Sequence, residues 1–266
     1  VNLNGTADAA DLGVSAVLSG TVQFAVGETV KTITIPVQGD LVGEFNETLS
    51  VTLNSATNAT IVDDEATGTI INDDPLALAI YQIQGEAHLS AFDGQNVTTT
   101  GIVTAVDTNG FYLQDATGDG NNRTSDAIFV FTSTAPTVTV GDAASVTGIV
   151  RENRPGNNLD NLTATQLNAS AVTVLSSGNA LPAATLIGTG GAMPPSDVFD
   201  DDQFAVYDPE HDAADFYESL EGMRVTIEAP LVTSPTNEFG ETYVVASGGR
   251  DATGVNSRGG ITIAGN

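Results

Sequence analysis

Cysteine and tryptophan are absent from this chain, and lysine occurs once, at Lys31. Without cysteine there is no disulfide framework, no CxxC redox centre, no thiolate zinc site and no cysteine nucleophile. Lys and Arg together number 7 against 34 Asp and Glu, a net charge of −27 over 266 residues. Nucleic-acid affinity comes from clustered bases that neutralise phosphates, so this balance argues against direct nucleic-acid binding. An anionic membrane surface would repel the chain for the same reason. No apolar run approaches the ~18 residues of a membrane helix. The opening residues lack the charged-then-apolar pattern of a signal peptide.

What is present is apolar enough to fold. Hydrophobic residues make up 41% and charged residues only 15%, so the composition is not that of a disordered chain. The acidity comes from missing bases more than from abundant acids. Uncompensated carboxylates repel one another in a compact state. High ionic strength or bound divalent cations relieve that cost. Calcium suits Asp, Asn and backbone carbonyls, which are all hard oxygen donors. The composition as a whole predicts an extracellular bacterial protein, secreted or held at a cell surface. At ~150 residues per domain, two or three domains are expected.

Periodicity is two almost everywhere. Thr21–Val26, Lys31–Val37, Thr48–Leu53 and Ala66–Ile71 alternate apolar and polar residues, with Gly, Asp and Asn between them. These read as half-buried antiparallel strands of a sandwich or barrel. Asn72-Asp73-Asp74-Pro75 breaks the series and marks a domain boundary. A second series follows at Val97–Val106, Gly110–Gln114, Ala127–Phe131 and Ser145–Arg151, closed by Ala171–Leu175. Residues 176–196, rich in Gly, Ala and Pro, read as a linker. Arg224–Glu228, Glu241–Ala246 and Gly260–Ala264 supply the strands of a third unit over 197–266. Helix is scarce. Asp212–Glu221 is the best candidate, with Phe216, Tyr217 and Leu220 at helical spacing.

The first 75 residues resemble a Calx-beta domain. Gly5-Thr6-Ala7 with Asp11, Gly20–Phe24 with Gly27-Glu28, Gly39–Glu47 leading into Thr48–Leu53, and Gly68–Asp74 carry the resemblance. It implies a seven-stranded Ig-like sandwich with calcium at one pole. Carried over by position, the ligands would be Asp11, Asp40, Glu44, Asp73 and Asp74. Glu28 and Glu47 read as turn and strand-end residues. The family's opening strand has no counterpart here. The chain is therefore expected either to belong to a longer protein or to take a donated strand from a neighbour.

Residues 76–175 resemble the OB-like module that precedes the catalytic domain of large secreted bacterial nucleases of the endonuclease/exonuclease/phosphatase superfamily. The matching stretches are Ile80–Gly85 with His88, Gly94–Ala105, Gly110–Asp115, Gly118–Gly120, Ser125–Val130, Val140–Asp142 and Val146–Val150. Independently of that resemblance, Asp115, Asp119, Asn121 and Asp126 are oxygen donors spaced by glycines, a pattern that lets a short loop curl around a hard cation. Residues 197–266 resemble the next segment of the same nucleases. Asp200–Asp202, Tyr207–Glu210, Asp215–Val225, Pro235-Thr236, Phe239–Glu241 and Arg258–Ile261 carry that match, which implies a second, partial OB-like unit.

Catalysis by that superfamily needs metal-binding acids together with an Asn and paired histidines. That constellation is not in this sequence. His88 and His211 are the two histidines; His88 reads as a packed or turn residue, and His211 as a solvated residue or a minor metal ligand. No GxSxG elbow occurs. The expectation is therefore an all-β, non-catalytic, calcium-binding extracellular scaffold or adhesion segment of a larger secreted nuclease or phosphatase. Its partners would be neighbouring domains or copies of itself, without membrane insertion. The alternative is a subunit that assembles by strand donation into filaments or a matrix.

Overall fold

The computed structural model describes residues 2–8, 10–12, 19–158, 161–196, 198–238, 240–250, 252, 254–258 and 260. The fold is all-β, with thirteen strands and two short α-helices among the described residues. The chain divides into two compact units, Val1–Leu76 and Ala77–Asn266.

The first unit holds one antiparallel sheet of three strands, β1 (Asn2–Gly5), β2 (Glu47–Thr52) and β3 (Glu65–Ile70), in the order β1-β2-β3. Thr48 sits centrally: its N–H donates to Thr6 Oγ1 at 2.8 Å, and its carbonyl accepts the N–H groups of Thr6 and Ala7. β2 and β3 lie where alternation predicts them. The other two expected strands differ. Thr21–Val26 and Lys31–Val37 run without ladder partners, and Phe24, Val26, Val30 and Val37 are exposed. Alternation makes a segment amphipathic, but only a partner turns it into a strand. One sheet thus stands, among the described residues, where the resemblance implies two facing ones. Within this unit only Asp11, Leu12 and Leu76 are buried among the described residues.

The two-residue β4 (Leu76–Ala77) marks the passage to the second unit. There α1 (Ile80–Gln84) precedes five strands: β5 (Asn96–Val106), β6 (Gly110–Gln114), β7 (Ala127–Phe131), β8 (Ala143–Asn153) and β9 (Ala164–Ser176). Their order β5-β6-β7-β9-β8 closes through a β5–β8 pairing. Only β7 and β9 run parallel; the other pairs are antiparallel. This is the closed Greek-key path of an OB-like barrel. Inward residues alternate along each strand. Val97, Val103, Phe111, Leu113, Ile128 and Val130 are fully buried, and Ile80 and Ile83 of α1 are buried with them. On the β5–β8 seam, Thr98 and Thr147 pair through their hydroxyls at 2.7 Å.

The region expected to be a linker and a second OB-like unit belongs to the same compact unit as the barrel. It holds β10 (Thr185–Ile187) parallel to β11 (Val225–Ile227), and β12 (Leu231–Val232) antiparallel to β13 (Val244–Val245). In the crossover between β10 and β11 lies α2 (Ala213–Glu218), within the predicted helix, with Phe216 buried. The expected terminal strand Gly260–Ala264 lies, beyond Gly260, outside the described residues. No described helix is long and apolar enough to cross a membrane.

Candidate functional site

The first acidic group forms where the turn at 10–12 meets the start of β2. One carboxylate oxygen from each of Asp11, Glu44 and Glu47 lies within 4.8 Å of the others. Asp11 is 8% exposed, and its Oδ2 accepts the Asp8 N–H at 2.7 Å. That bond, and a hydrogen bond shared with Glu47, hold the Asp11 carboxyl below its ordinary range. Glu47 moves the opposite way, up to about 7, because Asp11 shares its proton and burial adds to the effect. Glu44 is raised by burial and then by the charges of Asp11 and Asp40. Glu47 Oε2 is buried without a hydrogen-bond partner. An acid pair sharing one proton, beside a third acid and an orphaned oxygen, is an arrangement that a hard cation would neutralise.

Two of the residues expected at a pole, Asp11 and Glu44, therefore come together. Asp40, Asp73 and Asp74 do not belong to this group among the described residues. Asp40 closes a turn by accepting the Val42 N–H at 2.7 Å. Asp73 is exposed. Asp74 is tied to Asn72, whose Nδ2 donates to its carbonyl at 2.5 Å. Glu47, expected to be only a strand end, completes the group. Its sequence signal is modest: an acid three residues after Glu44 at the first position of a strand.

The second expected set lies in the loop between β6 and β7. Asp115 Oδ1 accepts the N–H groups of Thr117 and Gly118 at 2.9 and 3.0 Å. Asp119 accepts the Asn121 N–H, Asn121 Oδ1 accepts the Arg123 N–H, and Asp126 Oδ1 accepts the Asp119 N–H. These side chains organise the loop's own backbone, which is the ordinary use of Asp and Asn in turns. Burial raises the Asp126 carboxyl. Asp115, Asp119 and Asp126 do not close into an acidic group as tight as the first, among the described residues.

A polar dock absent from the sequence reading joins α2 to the barrel. His88 Nε2 lies 2.5 Å from Asp215 Oδ1, and Nδ1 lies 3.3 Å from Glu218 Oε2. Phe204 packs edge-on against the imidazole at 4.9 Å. Glu218 and Asp215 hold His88 protonated up to about 9, against the opposing effect of burial. Asp215 also accepts the Asp208 N–H through Oδ2 at 2.5 Å. Arg123 extends the dock: Nε reaches Glu86 Oε2 at 2.9 Å, Nη1 pairs with Glu210, and Nη2 donates to the Tyr207 carbonyl. Ser125 Oγ donates to the Glu221 carbonyl at 2.6 Å, and the Arg224 N–H donates to Gln114 Oε1 at 2.9 Å. His211 is exposed and pairs with Asp208. A second tight acidic group, Asp200, Asp202 and Asp212, lies beside this dock.

Comparison with known proteins matches residues 186–266 to a family described as a "Domain of unknown function (DUF8508)". No curated protein matches. Among solved structures, "OBody AM2EP06 bound to hen egg-white lysozyme" is similar at 15% identity and a TM-score of 0.25, covering 32% of this chain and 84% of that one. "OBody AM3L15 bound to hen egg-white lysozyme" is similar at 14% identity and a TM-score of 0.26, covering 38% of this chain and 96% of that one.

Proposed function

We propose that this chain is a non-catalytic, calcium-binding scaffold segment of a larger extracellular protein, one that positions neighbouring domains or holds them at a surface. The observation that carries the reading is the Asp11–Glu44–Glu47 group, with its shared proton and its buried, unpartnered Glu47 Oε2. Calcium fits that donor set, because it takes carboxylate oxygens in loose geometry. The first unit also has reason to need an ion, since its described residues bury so little apolar surface. The net charge of −27 makes cation binding favourable throughout. The resemblance of residues 76–175 and 197–266 to the segments that precede the catalytic domain of secreted nucleases supports a place beside such a domain.

The test is thermal unfolding in EDTA, in millimolar calcium, and in NaCl of matched ionic strength. Sites of extracellular modules bind at about 10⁻⁴–10⁻³ M, so about 10 mM calcium stabilises by about 1.4–2.7 kcal/mol. A calcium-specific rise that Glu47→Gln removes from the first unit is expected; equal curves in calcium and NaCl would exclude the reading. A second reading, self-assembly by strand donation, is favoured by the exposed Phe24, Val26, Val30 and Val37 in segments without ladder partners. Monodisperse particles at every calcium and protein concentration would exclude it.

A further inference from the structure

The segment after the barrel encloses a cavity of about 300 Å³. Parallel pairing of β10 with β11 sets Ile187 beside Ile227 on one wall. A tight turn then reverses the chain. The Gly191 and Ala192 N–H groups donate to the Gly188 and Leu186 carbonyls at 2.9 and 2.8 Å. A Cβ at Gly191 would collide with the Leu186 carbonyl oxygen. The turn delivers Met193, Pro194 and Pro195 as a second wall. Proline fixes φ and has no N–H, so this wall stays extended and pairs with no strand. The Thr189 N–H ties the turn to the far side by donating to Ser247 Oγ at 2.9 Å. Val245 of β13 lies there, and Tyr217 of α2 also lines the space.

The lining side chains are aliphatic or aromatic apart from Ser196, and none among the described residues is charged. That is unusual in a chain with a net charge of −27. The field of the whole molecule repels an anion. A cation finds no carboxylate on the walls to pair with. An uncharged ligand meets neither obstacle. Met193 and Tyr217 are 43% and 55% exposed, so the cavity opens to solvent beside them and leaves apolar surface bare. The Tyr217 hydroxyl makes no hydrogen bond among the described residues, which leaves it one polar contact to offer. A dry apolar cavity of about 150 Å³ takes one benzene, so about 300 Å³ suits a ligand of about two rings. Pockets built this way, apolar walls with a few polar groups, are the common form of small-molecule site.

We propose that this cavity binds an uncharged, mostly apolar small molecule, seated between the Met193–Pro195 wall and β13 with Tyr217 at its polar end. Every lining residue lies between Ile187 and Ala252, so the site belongs to the segment after the barrel alone. It is independent of the Asp11 group, which lies in the other compact unit.

The experiment is equilibrium dialysis of the full chain against 2-naphthol, uncharged at neutral pH, and against 2-naphthalenesulfonate, the same rings with a negative charge. Wild type, Ala246→Phe, Met193→Asp and Phe24→Ser are compared, each first shown to be folded by far-ultraviolet circular dichroism. Wild type is expected to take one equivalent of 2-naphthol and to bind the sulfonate at least about tenfold more weakly. Ala246→Phe fills the cavity, and Met193→Asp sets a carboxylate in its wall. Each is expected to weaken 2-naphthol by about tenfold or more. Phe24→Ser removes exposed apolar surface from the other unit and is expected to bind as wild type does. Should Ala246→Phe fail to fold, Met193→Asp decides alone. No saturable binding to wild type, equal affinity for the two probes, or unchanged binding in the cavity variants would overturn the proposal. Binding lost in Phe24→Ser alone would do the same. Light scattering is run alongside. A dimer that takes up no 2-naphthol and that Met193→Asp dissociates would make the cavity an interface between two copies, and would also overturn the proposal.

Discussion

His88 stays protonated well above neutrality because Glu218 and Asp215 face its two ring nitrogens. Its folded pKa of about 9 lies above the ordinary 6.5, so the folded state holds the proton more tightly than the unfolded chain. That stabilisation is complete below about pH 6.5 and drains away as pH rises through about 9. One pKa unit corresponds to about 1.4 kcal/mol, so the effect is on the order of 3 kcal/mol. His88→Gln is expected to remove it, flattening the profile of urea midpoint against pH between 6.5 and 9. Glu221 acts in the same direction by a different route. Burial, and then repulsion from Glu218, push its carboxyl up to about 8, while Oε2 still accepts the Thr165 N–H at 3.2 Å. A carboxyl kept neutral by the fold withdraws stability as pH climbs from about 4.5 through 8. Glu221→Gln keeps the neutral shape, so it is expected to raise the urea midpoint at pH 8–9 and leave pH 4 nearly unchanged.

The barrel strands fail or hold together as ladders, and β8–β9 is the longest of these. Gly148 sits at a register shift in that ladder. A Cβ there would come within 2.4 Å of the Asn168 carbonyl oxygen. Gly148→Ala is therefore expected to cost about 1–3 kcal/mol, by forcing the strands apart or breaking the bulge. The measurement is the urea midpoint, with fast amide exchange along 164–170 as the local signature. β5 to β8 lie where the sequence places them, because period-two runs bounded by Gly and Asp turns are local signals. β9 begins seven residues before the expected Ala171, at Ala164, since Thr, Asn and Gln dilute its alternation. Thr21–Val26 carries the same local signal without a ladder, so pairing is the part that alternation leaves open. The dock could not be read at all. His88 and Asp215 are 127 residues apart in sequence, and nothing near either residue announces the other. The same holds for Asp212, which looks like one more acid before a helix until the 200–206 loop folds back onto it.

At the scale of the whole chain, seven bases face 34 acids. Several bases are already committed: Arg123 to Glu86 and Glu210, Lys31 to Glu28, and Arg250 at 3.9 Å from Glu228. Most carboxylates consequently have no base of this chain to pair with. The fold answers in three ways: backbone N–H groups point at Asp115, Asp200 and Asp202, a proton is shared between Asp11 and Glu47, and exposure leaves the rest to solvent. Repulsion among the exposed acids is long-ranged at low salt, where the Debye length is about 30 Å at 0.01 M, and short-ranged at about 8 Å near 0.15 M. Stability in EDTA is therefore expected to rise steeply between about 10 and 150 mM NaCl and to level off beyond, as measured by the urea midpoint of each unfolding transition. Screening acts on every exposed pair, so substitutions at single acidic groups should barely move this curve. Site binding behaves differently. At a fixed 150 mM NaCl, millimolar calcium should add a further increment that Glu47→Gln reduces. If NaCl alone reproduces the whole increment, the carboxylate groups act as a diffuse field. If calcium adds to a curve already flat in NaCl, the acids are gathered for an ion and not for solubility alone.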